Sequence, residues 1–163
     1  MQLKDLKTNI DSIMKTLHTG NITNPIEAVE QITYFIFLKL LWENEKTLSE
    51  ISPNYKKIFV GDSKKISWGS LITLTGNELF NKARESLENL SKLPNMNDTG
   101  KMLFRGSTLK IFSPAILRTV IQKIDTMNFS NTDNDPKGDI YEYLISKIKV
   151  SGLNGQFRTP RNI

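Results

Sequence analysis

The sequence contains no cysteine and only one histidine, His18. The absence of cysteine excludes a disulfide scaffold, a thiolate zinc site and a cysteine nucleophile. A single histidine excludes a histidine-rich metal site, and a Ser-His-Asp triad would have to use His18. This residue follows an amphipathic helical segment, where its side chain complements the negative end of the helix dipole. We therefore expect no metal site and no common hydrolase chemistry.

Motifs that bind nucleotides or cross membranes are also missing. There is no glycine-rich phosphate loop, and Asn-Pro occurs once, at residues 24–25, without the second proline and aromatic residue of amino-group methyltransferases. The longest apolar stretch, residues 34–42, is interrupted by Lys39 and is far shorter than the roughly 20 residues that span a bilayer. The charged N-terminus does not resemble a signal peptide. The expectation is a cytoplasmic chain with no membrane partner.

Positive charge is concentrated in the second half of the chain. The net charge is +5, from 22 basic and 17 acidic side chains, and such a balance favours partners that carry phosphate. Residues 99–124 contain no acid but five basic residues, namely Lys101, Arg105, Lys110, Arg118 and Lys123. We predict that Lys101, Arg105 and Lys110 contact DNA phosphates. The alternatives are solvated side chains or docking to an acidic partner surface.

The spacing of apolar residues predicts a succession of helices. The predicted segments are residues 2–17, 25–49, 76–93, 114–124 and 137–148. Asn24 and Pro25 are typical of an N-cap and a first helical position. Residues 32–42 are apolar on nearly all sides, which indicates a central buried helix with Phe37 in the core.

The connections between these segments are less regular. Residues 57–60 and 65–68 are expected to pair as a short hairpin, and residues 94–100 to form a loop. The fold class is therefore mainly α, a multi-helix domain with short irregular or hairpin connections. Residues 1–135 are predicted to form this domain, and residues 136–163 a helix and a segment that leads into a further domain.

Two segments near the end resemble a known family. Residues 138–144 read Gly-Asp-Ile-Tyr-Glu-Tyr-Leu, and residues 155–161 read Gly-Gln-Phe-Arg-Thr-Pro-Arg. This pair resembles the modification subunit of type I restriction–modification systems, a DNA adenine-N6 methyltransferase. Pro25-Ile26-Glu27 and the stretch 37–41 are similar to the family's long buried helix, and Ile66-Ser67-Trp68 is a weaker match. The resemblance covers essentially the whole chain.

The resemblance implies a helical N-terminal domain that precedes a Rossmann-like catalytic domain. Family members transfer the methyl group of S-adenosylmethionine to adenine N6 in duplex DNA. They act with a specificity subunit, a second modification subunit and, in the full complex, a restriction subunit. Carried over residue by residue, the cofactor site would be lined by Gln156, Phe157, Arg158, Thr159, Pro160 and Arg161. Phe157 would lie beside the methionine part of the cofactor, and Thr159 and nearby backbone amides would bind its carboxylate.

Two functions remain open from the sequence. The chain is either the N-terminal helical domain of such a methyltransferase subunit or a free-standing helical module that binds DNA or protein. A reading frame that continues past Ile163 favours the first, and a stop codon there favours the second. Because the family's glycine-rich cofactor loop and Asn-Pro-Pro-aromatic motif are not in this sequence, we expect this chain alone to be inactive. It should also bind S-adenosylmethionine weakly or not at all.

Overall fold

The computed structural model describes residues 3–128 together with Tyr143. Within residues 3–128 the chain forms six α-helices and two 3-10 helices, and no strand occurs there. The α-helices are α1 (Leu3–Thr19), α2 (Pro25–Ile51), α3 (Trp68–Leu71), α4 (Gly76–Asn89), α5 (Asp98–Leu103) and α6 (Pro114–Asp125). The 3-10 helices are Gly61–Ile66 and Leu90–Lys92. The mainly α fold class is confirmed.

Two helices begin where the sequence predicts them. The Asn24 side chain accepts a hydrogen bond from the Ile26 amide at 2.9 Å, with Pro25 at the first helical position. The Ser113 hydroxyl accepts one from the Ile116 amide at 3.3 Å, and α6 begins at Pro114. Both caps satisfy amides that have no partner inside the helix.

Helix α2 is buried along much of its length, as predicted. Apolar residues from α1, α2, α4 and α6 together form one core. Helix α6 packs against α1, α2 and α4. Phe35 is fully buried, whereas Phe37 is only partly buried against this core. The expectation that Phe37 is a core residue is therefore corrected. The ring two residues earlier has that position, because residues two apart lie on different faces of a helix.

The predicted hairpin of residues 57–60 and 65–68 is wrong. This region forms the 3-10 helix Gly61–Ile66 followed by α3. The Ser63 hydroxyl accepts a hydrogen bond from the Val60 amide at 2.8 Å, and the Ser67 hydroxyl accepts one from the Ser70 amide at 3.4 Å. Such local bonds compete with strand pairing. Trp68 is thereby placed in α3, where it is fully buried.

The region from residue 76 to residue 104 follows the prediction with two changes. Helix α4 ends at Asn89, and the 3-10 helix Leu90–Lys92 completes the predicted helix 76–93 almost to its end. The predicted loop 94–100 is partly wrong, because α5 begins at Asp98. Its N-cap is Asn97, whose side chain accepts a hydrogen bond from the Gly100 amide at 2.7 Å.

Tyr143 is the one described residue after residue 128. It is helical and packs partly buried against the core. Its hydroxyl donates a hydrogen bond to Asp11 Oδ1 at 2.6 Å, and Lys7 Nζ lies 5.4 Å from the centre of its ring. The rest of the predicted helix 137–148 lies outside the described residues, and the domain boundary at residues 135–136 stays a prediction.

Candidate functional site

The three predicted DNA contacts lie on α5 and on the connection to α6. Lys101 is exposed on α5, and Arg105 is exposed two residues after its end. Neither has an ion-pair partner within the described part of the chain. Lys110 is half-exposed, and its Nζ lies 3.4 Å from Glu27 Oε1 on α2. The structure thus leaves two of these cations open to solvent and pairs the third.

The two other basic residues of the acid-free window have structural contacts. Arg118 donates from one guanidinium nitrogen to the carbonyl oxygens of Ile72 and Leu74, at 2.8 and 2.9 Å. Lys123 Nζ donates to the Ser12 hydroxyl at 2.5 Å. These bonds tie α6 to the end of α3 and to α1. The window is therefore not one uniformly solvated basic surface.

A buried glutamine on α2 holds the connection that carries Lys110. Gln31 donates from its side-chain amide to the Thr108 carbonyl oxygen and accepts from the Lys110 amide, both at 3.0 Å. Met102 and Phe112, on either side of this connection in the chain, are each about three-quarters exposed. Gln31 was not predicted from the sequence, where its signal is a polar residue inside an apolar helix.

Lys39, which interrupts the apolar stretch of α2, is buried and caps α6. Its Nζ donates to the carbonyl oxygens of Ile124 at 3.2 Å, Asp125 at 3.0 Å and Met127. These carbonyls are at the negative end of the α6 dipole, which a cation stabilises. Burial lowers the pKa of Lys39 from 10.5, while Glu43 and Asp125 oppose that effect. Its role is to join α2 to the end of α6.

Glu45 organises the chain after α2. Its carboxylate is buried and accepts from the Tyr55 hydroxyl at 3.0 Å, the Ile58 amide at 2.5 Å and the Phe59 amide at 3.1 Å. These three bonds fold residues 55–59 back along the helix. Burial and this hydrogen bond raise the pKa of Tyr55 to about 12. Glu45 was not predicted from the sequence, because its partners lie outside the helix.

The raised pKa of Tyr55 predicts a titration result. In the unfolded chain the phenol has its ordinary pKa of 10.0, so between that value and about 12 only the folded chain keeps the proton. Stability should therefore fall as pH rises through this window. Because the pKa of Tyr34 is also raised to about 12, the Tyr55→Phe variant should show a smaller phenolate absorbance step near pH 12 in the folded chain, with folding checked by circular dichroism. Loss of a step near pH 10 would contradict the prediction.

A tryptophan and an aspartate connect α3 to α6. The indole nitrogen of Trp68 donates to Asp125 Oδ1 at 3.0 Å, and the rest of the ring is fully buried. The Ser86 hydroxyl on α4 donates to the carbonyl oxygen of Ile66 at 2.9 Å. The segment Ile66-Ser67-Trp68, a weak motif in the sequence, thus contributes to the packing of α3, α4 and α6.

An open cleft of about 550 Å³ lies between the second half of α2 and the segment that follows it. Its walls are formed by Trp42, Glu45, Lys46, Ser49 and Glu50 on α2 and by Lys57, Phe59, Lys64, Ser67 and Gly69 opposite. Three lysines thus face a cleft whose floor contains the buried ring of Phe59. This cleft was not predicted from the sequence, although the pairs Lys56-Lys57 and Lys64-Lys65 were a visible signal.

Comparison with known proteins identifies the family. The profile of the HsdM N-terminal domain matches residues 6–148, which include nearly all of the described structure. The chain belongs to the HsdM N-terminal domain family. It is also similar to the type I restriction enzyme EcoEI methylase subunit of Escherichia coli, with 24% identity over 173 residues. The similarity covers 95% of this chain and 34% of that relative, so the chain spans about a third of the relative's length.

Some of the predicted residues lie inside the range matched by the HsdM family, and others lie outside it. The three predicted DNA contacts, the cleft and Lys39 all lie within residues 6–148 of this HsdM N-terminal domain. The predicted cofactor residues 156–161 lie after the match and outside the described residues. They stay a prediction. Within the described part, no cluster of three or more possible metal-binding side chains occurs, and no helix is long and apolar enough to cross a membrane.

Proposed function

We propose that this chain is the N-terminal helical domain of the modification subunit of a type I restriction–modification enzyme. The observation that carries the proposal is the family match over residues 6–148, supported by the similarity to a type I methylase subunit. The complete subunit would transfer methyl groups from S-adenosylmethionine to adenine N6 in DNA. Its partners would be a specificity subunit, a second modification subunit and a restriction subunit.

The catalytic chemistry belongs to the complete subunit in this proposal. The exocyclic amine of adenine is a weak nucleophile, so its reaction requires a base that is flipped out of the duplex and held in line with the methyl group. Residues Gln156 to Arg161 would form one edge of the cofactor site. The helical domain would contribute binding contacts and no reacting group.

A methylation assay tests the function. The complete subunit would be expressed together with its specificity subunit, and the purified complex incubated with S-adenosylmethionine carrying a labelled methyl group. We expect labelled N6-methyladenine in duplex DNA from the complex and none from the 163-residue chain alone. Methylation of cytosine by the complex, or a reading frame that stops at Ile163, would reject the proposal.

The proposed DNA contacts rest on the placement of three cations. Lys101 and Arg105 are exposed, without ion-pair partners in the described structure. The Lys110–Glu27 pair has both side chains about two-fifths exposed, and an exposed pair of this kind contributes only about 0–1 kcal/mol. DNA phosphate can therefore compete with Glu27 for Lys110. Contacts of this type fix the position of the protein on DNA and carry no sequence information.

Replacing Lys101, Arg105 and Lys110 together by alanine in the complete complex tests these contacts. Each phosphate that is no longer neutralised reduces the slope of log affinity against log salt by about 0.9, so three contacts predict a change of about 2.7. The affinities for specific and random duplexes should fall alike.

A matched control removes the same charge elsewhere. Lys4 and Lys15 on α1 and Arg84 on α4 are exposed, again two lysines and one arginine. Replacing these three by alanine should leave the salt slope unchanged. Equal effects of the two triple variants would show that only net charge matters, and an unchanged slope in the first variant would remove these residues from the DNA interface.

A further inference from the structure

The lining of the cleft beside α2 carries more positive than negative charge, with three lysines against the carboxylates of Glu45 and Glu50. Lys46, Lys57 and Lys64 line it, and none of them has a carboxylate within ion-pair distance in the described part of the chain. The segment of residues 55–65 carries four lysines against one aspartate. The Glu45 carboxylate at the floor is occupied by three hydrogen-bond donors. The ammonium groups are thus available to an anionic ligand.

The position of Trp42 disfavours a nucleic-acid base as that ligand. Lys46 Nζ lies 4.3 Å from the centre of the Trp42 ring and occupies one face of it. The same indole lies against Gly69, where an added Cβ atom would be 2.5 Å from the ring carbon Cζ2. Single-stranded nucleic acids bind by stacking bases on open aromatic faces as well as by charge. Lys46 already occupies one face of the indole, which disfavours a stacked base there.

Two exposed apolar residues directly follow lining residues of the cleft in the sequence. Ile51 directly follows the lining residue Glu50 and is 71% exposed. Val60 directly follows the lining residue Phe59 and is 50% exposed. Exposed apolar side chains that accompany a concave surface are typical of protein interaction sites. The aliphatic stems of the three lysines add further apolar surface.

We propose that this cleft binds an acidic segment of a partner protein that also carries apolar side chains. Carboxylates of the segment would pair with Lys46, Lys57 and Lys64, and its apolar side chains would contact Ile51, Val60 and the lysine stems. The volume of about 550 Å³ accommodates a few residues of an extended peptide and is too small for a duplex. This surface is separate from the predicted DNA contacts and does not depend on the proposed enzyme activity.

A peptide library tests the proposal without knowledge of the partner. The 163-residue chain would be immobilised and panned with phage-displayed random dodecapeptides, and the most enriched peptide would then be synthesised and titrated by tryptophan fluorescence. We expect enrichment of peptides that combine Asp or Glu with apolar residues. Replacing Lys46, Lys57 and Lys64 together by alanine should weaken the synthetic peptide at least about tenfold.

The controls separate this cleft from general attraction to a basic protein. Replacing Lys4, Lys15 and Lys92, which are exposed and do not line the cleft, removes the same charge and should leave peptide affinity within about twofold. The single variant Ile51→Ser should weaken binding while leaving the charge unchanged. Equal losses in the two triple variants, enrichment of neutral or basic peptides, or tighter binding of single-stranded oligothymidylate than of peptide would overturn the proposal.

Discussion

Replacing Phe35 by alanine is expected to lower the free energy of unfolding by about 3–5 kcal/mol. The ring has no exposed surface and belongs to the core shared by α1, α2, α4 and α6. Removing it eliminates the transfer free energy of a full aromatic side chain and leaves a cavity that rigid neighbouring helices fill only in part. Urea unfolding followed by circular dichroism in the α-helical band measures the loss.

Phe37→Ala is the matched control, because it removes the same ring two positions along the same helix. Phe37 is only partly buried, so its removal takes less apolar area out of the core and leaves a space open to water. We expect no more than about half the loss of Phe35→Ala. A loss at Phe37 equal to or larger than that at Phe35 would contradict the observed orientation of α2.

Local signals explain why the helix starts were predictable. Asn24-Pro25 and Ser113-Pro114 each place a capping oxygen and a fixed φ angle side by side in the sequence. The apolar centre of α2 likewise predicted a buried helix without knowledge of its neighbours. In each case the residues that determine the helix start or the buried helix are close together in the sequence.

The predictions that failed concern segments whose structure also depends on contacts between residues far apart in the sequence. The residue types at 57–68 were compatible with a hairpin, but serine side chains form hydrogen bonds with the local backbone there. In addition, the Trp68 indole donates a hydrogen bond to Asp125, which lies 57 residues later in the chain. Lys39 appeared only as an interruption of an apolar stretch. Its carbonyl partners are 85 to 88 residues away, so periodicity could not reveal that it caps another helix.

The candidate surfaces show the same division. The acid-free window predicted a basic surface, but the sequence could not show that Arg118 and Lys123 bond within the fold while Lys101 and Arg105 face solvent. The cleft needed even more tertiary information, because its walls come from α2 and from a segment held against it by Glu45. The amino-acid composition of a segment shows how many charged residues it contains, whereas the fold determines which of them are exposed and can bind a ligand.

Replacing Lys39 by methionine is the second change with a large expected effect, about 2–4 kcal/mol of lost stability. Methionine keeps most of the volume and avoids the burial of a charge, which by itself favours the variant. However, the carbonyl oxygens of Asp125 and Met127 lose the cationic donor that the described structure gives them, whereas that of Ile124 keeps the Met127 amide as a donor. Since leaving buried acceptors unsatisfied costs more than a hydrogen bond contributes on average, the loss should dominate.

The pH dependence of this loss has a defined sign. Burial lowers the pKa of Lys39 in the folded chain from 10.5, against the opposing charges of Glu43 and Asp125. Between the lowered pKa and 10.5 the unfolded chain binds more protons, so the parent gains stability as pH rises. The difference between parent and Lys39→Met should therefore be larger at about pH 9.5 than at about pH 7.

Lys46→Met is the control for both statements, because this lysine lies on the same helix and is exposed. It makes no backbone hydrogen bond in the described structure and only a cation–π contact with Trp42, so its replacement should change stability by no more than about 1 kcal/mol at either pH. Parallel urea titrations of the three proteins at the two pH values decide the matter. If Lys39→Met is as stable as the parent, the cap on α6 is not needed for stability, and a difference that shrinks with rising pH would reverse the assigned direction of the pKa.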